Sequence, residues 1–164
     1  MIMEGFLRLL CFWSLKEEAK KYEGIPVALS GGVDSSLLAA LVKPRFVISV
    51  RIPGDGKYDE IEHSSKVAEH LGLKHIIVDL DVTAPIRRME DIENCFQLFL
   101  KKSPKTLFSV VPSRKNPYFN VAELDKNGYA HVCKNVDGGF VRRQDAPDVY
   151  DMNTSIYFYQ RDFL

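Results

Sequence analysis

The sequence lacks several features that would place it in a specialised class of protein. Only three of its 164 residues are cysteines (Cys11, Cys95 and Cys133) and none forms a CxxC pair, so we expect reduced thiols rather than disulfides or a zinc site. Lysine plus arginine equals aspartate plus glutamate, at 22 each, so no excess charge favours nucleic acid or an acidic membrane. These absences predict a cytoplasmic protein without a nucleic-acid partner.

Apolar runs of membrane-spanning length are also missing. The most apolar stretch, Phe6–Trp13, is interrupted by Arg8, is followed by the charged Lys16-Glu17-Glu18, and is too short to cross a bilayer. It also lacks the cationic start and the small-residue cleavage site of a signal peptide. We therefore expect no membrane partner and predict an amphipathic helix that packs on a sheet. The hydrophobic fraction of 46%, with 27% charged residues, is typical of a globular domain with a real core.

What the chain does contain is an alternation of helix and strand patterns. The strand patterns up to residue 111 are Val/Ile/Leu runs, which predicts a sheet with both faces covered by helices. We therefore predict an α/β fold with a Rossmann-like, doubly wound, mostly parallel sheet. The predicted elements are helices at about 4–21, 34–42, 58–71 and 89–102, and strands at 25–30, 45–51, 75–81 and 106–111.

Beyond Pro112 the chain becomes β-rich. Asp125-Lys126-Asn127-Gly128 predicts a hairpin turn between two short strands, because Asn-Gly tolerates positive φ. The segment 153–159 is typical of a late strand, and residues 161–164 resemble the start of a helix. We expect this β-rich part to pair with an edge of the parallel sheet. An edge left unpaired there would favour a homodimer or aggregation.

The segment Ser30-Gly31-Gly32-Val33-Asp34-Ser35-Ser36 lies between a predicted strand and a predicted helix. A sharp turn from strand into helix directs the free N–H groups and the positive dipole end of the helix at the turn, where an anion binds well. Gly31 and Gly32 allow close approach of phosphate, Ser30, Ser35 and Ser36 supply hydroxyl groups, and Asp34 can cap the helix or help hold Mg²⁺. The alternative is a simple Gly-Gly turn with an Asp/Ser cap. A Walker A loop is excluded, because no Gly-Lys-Ser/Thr follows.

This loop resembles the pyrophosphate-binding loop of the PP-loop ATP pyrophosphatases, with the signature Ser-Gly-Gly-x-Asp-Ser. The segments Phe46-Val47-Ile48-Ser49-Val50, Tyr58-Asp59-Glu60 and Lys66-Val67-Ala68-Glu69-His70-Leu71-Gly72 extend the likeness to the synthetase domain of asparagine synthetases, over roughly residues 1–78. The resemblance implies an ATP site, with Mg²⁺ and nucleotide bound at Ser30, Gly31, Gly32, Asp34, Ser35 and Ser36.

A second resemblance covers about residues 79–164. Its motifs are similar to those of the acylneuraminate (nonulosonic acid) cytidylyltransferases, which make CMP-activated sugar acids with CTP. They are 79–87, 90–92, 108–111, 116–120, 143–147, 153–157 and 162–164. The resemblance implies a sugar-acid site that contains Arg143 and Tyr157. Asp81 stands where sialate-activating members tend to carry Gln, and Gln144 and Arg87 are further polar neighbours.

Each of these residues also has a simpler interpretation. Arg143 can be a solvated surface charge, Tyr157 can be packing on a strand, and Asp81 can cap the turn that follows it. The four histidines, His63, His70, His75 and His131, show neither a metal spacing nor a partner, and we predict no role for them.

Both resemblances are partial, so we expect a fused α/β protein that is incomplete for catalysis, with its catalytic and metal-binding residues unknown. The cytidylyltransferase loop that binds the CTP phosphates is missing, and so are the glutaminase domain and the later synthetase motifs of the asparagine synthetases. Three functions stay open: CMP transfer to a nonulosonic acid, ATP-dependent adenylation of the asparagine-synthetase type, and nucleotide binding without turnover as a fusion remnant.

Overall fold

The computed structural model of the protein describes residues 13–51, 60–136 and 138–164. The first half of the predicted N-terminal helix, together with Cys11 and the Tyr58-Asp59 pair, lies outside the described residues. The helices are α1 (13–19), α2 (Val33–Val42), α3 (Ile61–His70) and α4 (Met89–Lys102). The strands are β1 (Val27–Ala28), β2 (Val47–Arg51), β3 (His75–Leu80), β4 (Thr106–Pro112), β5 (Ala122–Leu124), β6 (Ala130–Val132) and β7 (Tyr150–Gln160).

The central sheet has five strands in the order β1-β2-β3-β7-β4. β1 pairs with β2 and β2 pairs with β3 in parallel, while β7 runs antiparallel to β3 with Val78 opposite Phe158. The predicted α/β fold, with a mostly parallel central sheet and further strands toward the C-terminus, is therefore confirmed. The hairpin turn at 125–128 is also confirmed, since it joins β5 to β6.

The late strand, β7, pairs with β3, the last of the parallel strands, so it joins the edge of the parallel sheet as expected. Its alternating pattern explains this position: Ile156 and Phe158 are buried, whereas Tyr157 and Tyr159 on the opposite face are half-buried. β4 consequently becomes the edge strand, and none of its residues is buried, although its apolar run predicted cover on both faces. The opening of a helix predicted at 161–164 is a single 3-10 turn, Arg161–Phe163.

The two faces of the sheet carry separate hydrophobic clusters. On one face, Val27, Leu29 and Val47 pack with residues of α1, α2 and α3. On the other face, Phe99 of α4 packs with buried residues of the sheet and of the segment before β2, which are Phe46, Ile76, Val78, Ile156 and Phe158. Helices on both faces of a sheet explain why β2 and β3 are apolar along most of their length.

The helices next to the sheet follow from their sequences. In α4 the apolar residues Ile92, Cys95, Phe96 and Phe99 recur at the spacing of one helix face, and they all join the second cluster. Acidic residues occupy its first turn and Lys101 with Lys102 its last, which matches the helix dipole. The buried residues of α3 are instead small, namely Ser64, Ser65 and Ala68, so this helix can approach the sheet closely.

The chain forms two compact units. The first contains the described residues up to Phe108 together with Thr154–Leu164, and the second is Ser109–Asn153. The second unit contains the β5–β6 hairpin, whose turn is fixed by Asp125: its carboxylate accepts hydrogen bonds from the N–H groups of Asn127 and Tyr129. Among the described residues, no helix has the length and apolar character needed to cross a membrane.

Candidate functional site

The Ser30–Ser36 loop follows the carboxyl end of β1 and includes the first turn of α2. Leu29, which is 2% exposed, continues the strand by donating its N–H to the Ile48 carbonyl at 2.8 Å. The helix begins at Val33 with Gly32 as its extended N-cap residue, and no side chain caps it there. The first N–H groups of a helix have no intrahelical partner, so the loop presents donors at a positive dipole end. The predicted turn from strand to helix is therefore present.

The serine hydroxyls of the loop form a local network. Ser30 Oγ accepts a hydrogen bond from the Gly32 N–H at 3.3 Å and lies 3.0 Å from Ser35 Oγ. Ser35 and Ser36 both donate to the Gly32 carbonyl, at 3.2 and 2.7 Å. The carbonyl of Gly32 is thus turned into the helix, and the hydroxyls converge around the turn. Asp34 lies exposed in the first helical turn.

Gly31 is where the loop meets a second helix start. Its φ is +87°, a region that L-residues with side chains rarely adopt. A Cβ placed there would lie 2.6 Å from the Ser64 backbone nitrogen and 2.7 Å from Cβ of His63, both in the first turns of α3. The loop is therefore packed directly against the amino-terminal part of α3. Only glycine fits this position without moving backbone.

Two consecutive buried hydrogen bonds hold the strand that precedes the loop. Ser49 donates to the Leu29 carbonyl at 2.5 Å, and Nε2 of His75 lies 2.8 Å from Ser49 Oγ. Ser49 is 4% and His75 5% exposed. The prediction that no histidine has a partner is wrong for His75, and also for His131, whose Nε2 lies 3.4 Å from Asp125 Oδ2. The signal for His75 in the sequence was its position at the start of a buried apolar strand, where a polar group needs a partner.

Burial is the main cause that lowers the pKa of His75, to about 4, and the positive charge of Arg161 adds to it. The folded protein therefore keeps this imidazole neutral, whereas the unfolded chain protonates it near pH 6.5.

We predict that His75 makes the fold acid-sensitive. Since the unfolded state binds more protons between pH 6.5 and pH 4, the free energy of unfolding should fall by about 3 kcal/mol over that window as pH decreases. Urea denaturation at several pH values measures this slope. The exposed His63→Gln variant should keep the slope, and a flat profile in the unmodified protein would contradict the burial of a neutral His75.

Asp81 follows the carboxyl end of β3. Its Oδ1 accepts hydrogen bonds from the N–H and the hydroxyl of Thr83, both at 2.7 Å, and these bonds are the main reason that the pKa of its carboxyl is lowered. Arg87 donates to the Asp81 carbonyl and, at 3.0 Å, to Ser155 Oγ. Asp81 thus caps the local turn, and Arg87 ties this turn to β7.

Tyr157 lies on β7 opposite Asp79 of β3. Its ring stacks with Tyr159 at a centroid separation of 6.0 Å and an interplanar angle of 3°, and it lies 6.1 Å from the Phe108 ring. These three aromatic side chains form a row on one face of the sheet in the first unit. Tyr157 therefore packs between two rings, and it lies one strand from the turn that contains Asp81.

Arg143 and Gln144 belong to the second unit, where they form part of a short 3-10 turn and are both exposed. Arg143 lines a cavity of about 450 Å³ together with Arg114 and Lys115. Three cationic side chains around one cavity are suited to a carboxylate or phosphate ligand. Asp148, which also lines it, supplies an opposing charge.

Comparison with known proteins places the chain in a family. The family model of asparagine synthase matches residues 13–108, which include the Ser30–Ser36 loop. The chain belongs to the asparagine synthase family. The family match continues past residue 78, and the division of the chain into two segments at that point stays a prediction.

Relatives of two kinds match the chain. It is 43% identical over 88 residues to the post-translational flagellin modification protein B of Campylobacter coli and to the CMP-N,N'-diacetyllegionaminic acid synthase of Campylobacter jejuni, in each case over 54% of this chain and 36% of the relative. It is 39% identical over 61 residues to an NH(3)-dependent NAD(+) synthetase of Carboxydothermus hydrogenoformans, over 35% of this chain and 25% of the relative. Both resemblances drawn from the motifs are thus confirmed, and the chain spans about a third or less of these relatives' lengths.

Proposed function

We propose that the chain is a nucleotide-binding protein of the nucleotidyl-transfer type, related to CMP-nonulosonic acid synthesis, with an ATP site at the Ser30–Ser36 loop. The observation that carries the proposal is the packing of Gly31 against α3. A Cβ there would meet the backbone of Ser64 at 2.6 Å, so the loop leaves no side chain between the amino ends of two helices. Membership of the asparagine synthase family supports the same site.

The loop residues suit the pyrophosphate part of a nucleoside triphosphate. The first N–H groups of α2 donate to phosphate oxygens, and the hydroxyls of Ser30, Ser35 and Ser36 can turn from Gly32 toward the ligand. Asp34, exposed in the first turn of α2, is the residue that would hold Mg²⁺ through its carboxylate. Magnesium supplies neutralisation of phosphate charge when bound.

A second candidate function uses the other group of predicted residues. The 43% identity to a protein named CMP-N,N'-diacetyllegionaminic acid synthase supports a sugar acid as ligand, with CTP as the nucleotide. The cationic cavity at Arg143 supports a carboxylate there, with Gln144 of the same 3-10 turn as a further proposed contact. Tyr157 and Asp81, which belong to the first unit, are proposed separately as residues that contact a sugar acid. Binding of N,N'-diacetyllegionaminic acid that is lost in Arg143→Ala but kept in Arg142→Ala would support this site. Equal loss in both variants would contradict it.

The test of the first proposal is a thermal-shift titration with Mg-ATP, Mg-CTP and pyrophosphate. A ligand that binds only the folded state raises the melting temperature by mass action. We expect shifts with Mg-ATP and with pyrophosphate. A rise in melting temperature with Mg-CTP alone would favour the second candidate function, CMP transfer to a nonulosonic acid. No shift with any of them would leave a protein without nucleotide binding, as expected of a fusion remnant.

We predict that Ser30→Ala weakens pyrophosphate binding about tenfold, equivalent to about 1.4 kcal/mol. The change removes the oxygen that accepts from the Gly32 N–H and that contacts Ser35, so the loop loses both a ligand donor and part of its order. Isothermal titration calorimetry measures the affinity. Ser14→Ala, an exposed serine of α1, is the matched control and should bind as the unmodified protein does.

A further inference from the structure

A second cavity lies at the other end of the parallel strands, away from the loop. It has a volume of about 620 Å³ and is lined by residues of α3, of the start of β3 and of the turn after β7. Its buried residues are Ser65, Ala68 and His75, and its exposed ones include Lys74 and Arg161. The loop follows the carboxyl end of β1, whereas His75 begins β3. The two sites therefore lie at opposite ends of the parallel strands.

The hydrogen bonds of Ser49 determine the tautomer of His75. Ser49 has one hydroxyl proton, and its 2.5 Å contact with the Leu29 carbonyl requires that proton. Ser49 Oγ must then accept from Nε2–H of His75 at 2.8 Å. Nδ1 of His75 is consequently the bare acceptor nitrogen. Among the described residues Nδ1 has no hydrogen-bond partner, although His75 is only 5% exposed.

An acceptor that is buried without a donor costs free energy, so this position favours a ligand with an O–H or N–H group. The cationic side chains next to Nδ1 of His75 indicate the charge of that ligand. Nε of Arg161 donates to Ser65 Oγ at 2.7 Å, which holds the guanidinium at the lining of the cavity and does not use its terminal N–H groups. Lys74 adds a second positive charge at the rim. Two cations and one acceptor together suit an anion that also carries a proton.

The negative charges around the cavity limit how much charge that anion can bring. Glu69 of α3 and Asp162 of the turn after β7 both line the cavity and both are exposed. The four charged groups balance, so the site has no strong net field for a highly charged ligand such as a polyphosphate.

We propose that this cavity binds a protonated oxyanion of the phosphate type, whose P–OH donates to Nδ1 of His75 while its anionic oxygens face Arg161 and Lys74. Hydrogen phosphate is the simplest such ligand. It combines acceptor oxygens for the guanidinium with one donor for the imidazole, and it is small enough for the cavity. A bound anion next to His75 also favours the charged imidazole, so it should raise the pKa of this residue.

The experiment compares inorganic phosphate with sulfate at pH 7 and constant ionic strength, using the full chain. Sulfate has the same shape and similar charge but no proton to donate. The NMR signals of the His75 ring report binding at this site directly. We expect phosphate to shift them at a concentration about tenfold lower than sulfate does, and a pH titration in phosphate to show a raised pKa for His75.

Variants separate this cavity from the loop. Arg161→Gln and Lys74→Gln should each weaken the phosphate response about tenfold, whereas Lys66→Gln, on the exposed face of α3, should leave it unchanged. Lys74→Gln serves if Arg161→Gln does not fold. Ser30→Ala should keep the response, because the loop is not part of this site. Equal responses to phosphate and sulfate, no response to either, or a response that survives both cavity variants would overturn the proposal.

Discussion

Gly31→Ala is expected to abolish measurable pyrophosphate binding and to lower the free energy of unfolding by about 3 kcal/mol. Two costs combine at this position. The φ of +87° strains any L-residue, and the new Cβ would lie within 2.8 Å of three atoms of His63 and Ser64, two of them backbone. Because backbone atoms cannot rotate away as a side chain does, the loop must move from α3. Calorimetric titration and urea denaturation measure the two effects.

Gly128→Ala is the matched control for this change. Gly128 has nearly the same φ, +84°, but a Cβ there meets nothing within 4 Å. Its substitution should therefore cost only the conformational term, about 1 kcal/mol, and should leave pyrophosphate binding intact. If the two alanine variants proved equally stable, close packing of the loop on α3 would be wrong. If Gly31→Ala lost stability yet still bound pyrophosphate normally, the loop would not be the nucleotide site.

The position of the loop could be predicted because it depends on neighbouring residues. An apolar run before Ser30 and a helix-forming run after Ser36 define a turn from strand to helix, and the structure has that turn. The contact of Gly31 with α3 could not be predicted in the same way. It joins residues more than thirty positions apart, and the sequence marks it only by a glycine that the turn alone already explains.

The same limit explains the errors in the sheet. Alternation of strands and helices predicts parallel neighbours correctly for β1, β2 and β3. It carries no information about where a later strand lies, so the apolar run of β4, which predicted cover on both faces, forms the outer strand beyond β7. The pairing of His75 with Ser49 is likewise a contact across 26 residues. The position of His75 at the start of a buried strand indicates that it needs a partner, but no local pattern identifies Ser49 as that partner. Long-range pairing is decided by which buried surfaces fit together.

Phe158→Ala should destabilise the protein by about 3–5 kcal/mol, because it removes the centre of the cluster that joins β7 to α4. Phe158 is 1% exposed, and its ring lies 5.7 Å from that of Phe96 and 5.6 Å from that of Phe99. The same cluster contains Phe46 and Ile76, so it includes residues from both sides of position 78. Urea denaturation monitored by far-UV circular dichroism measures the loss of stability.

The urea transition of the Phe158→Ala variant decides whether the parts of the chain with different resemblances fold as one cooperative unit. Phe163→Ala, on a side chain that is 49% exposed, is the control and should change the free energy of unfolding by less than about 0.5 kcal/mol. A single transition that moves to lower urea would show that strands before residue 78 depend on a side chain of β7. Two separate transitions, with only one affected, would mean that the segment resembling asparagine synthetases folds without β7, and the shared cluster would then contribute little to its stability.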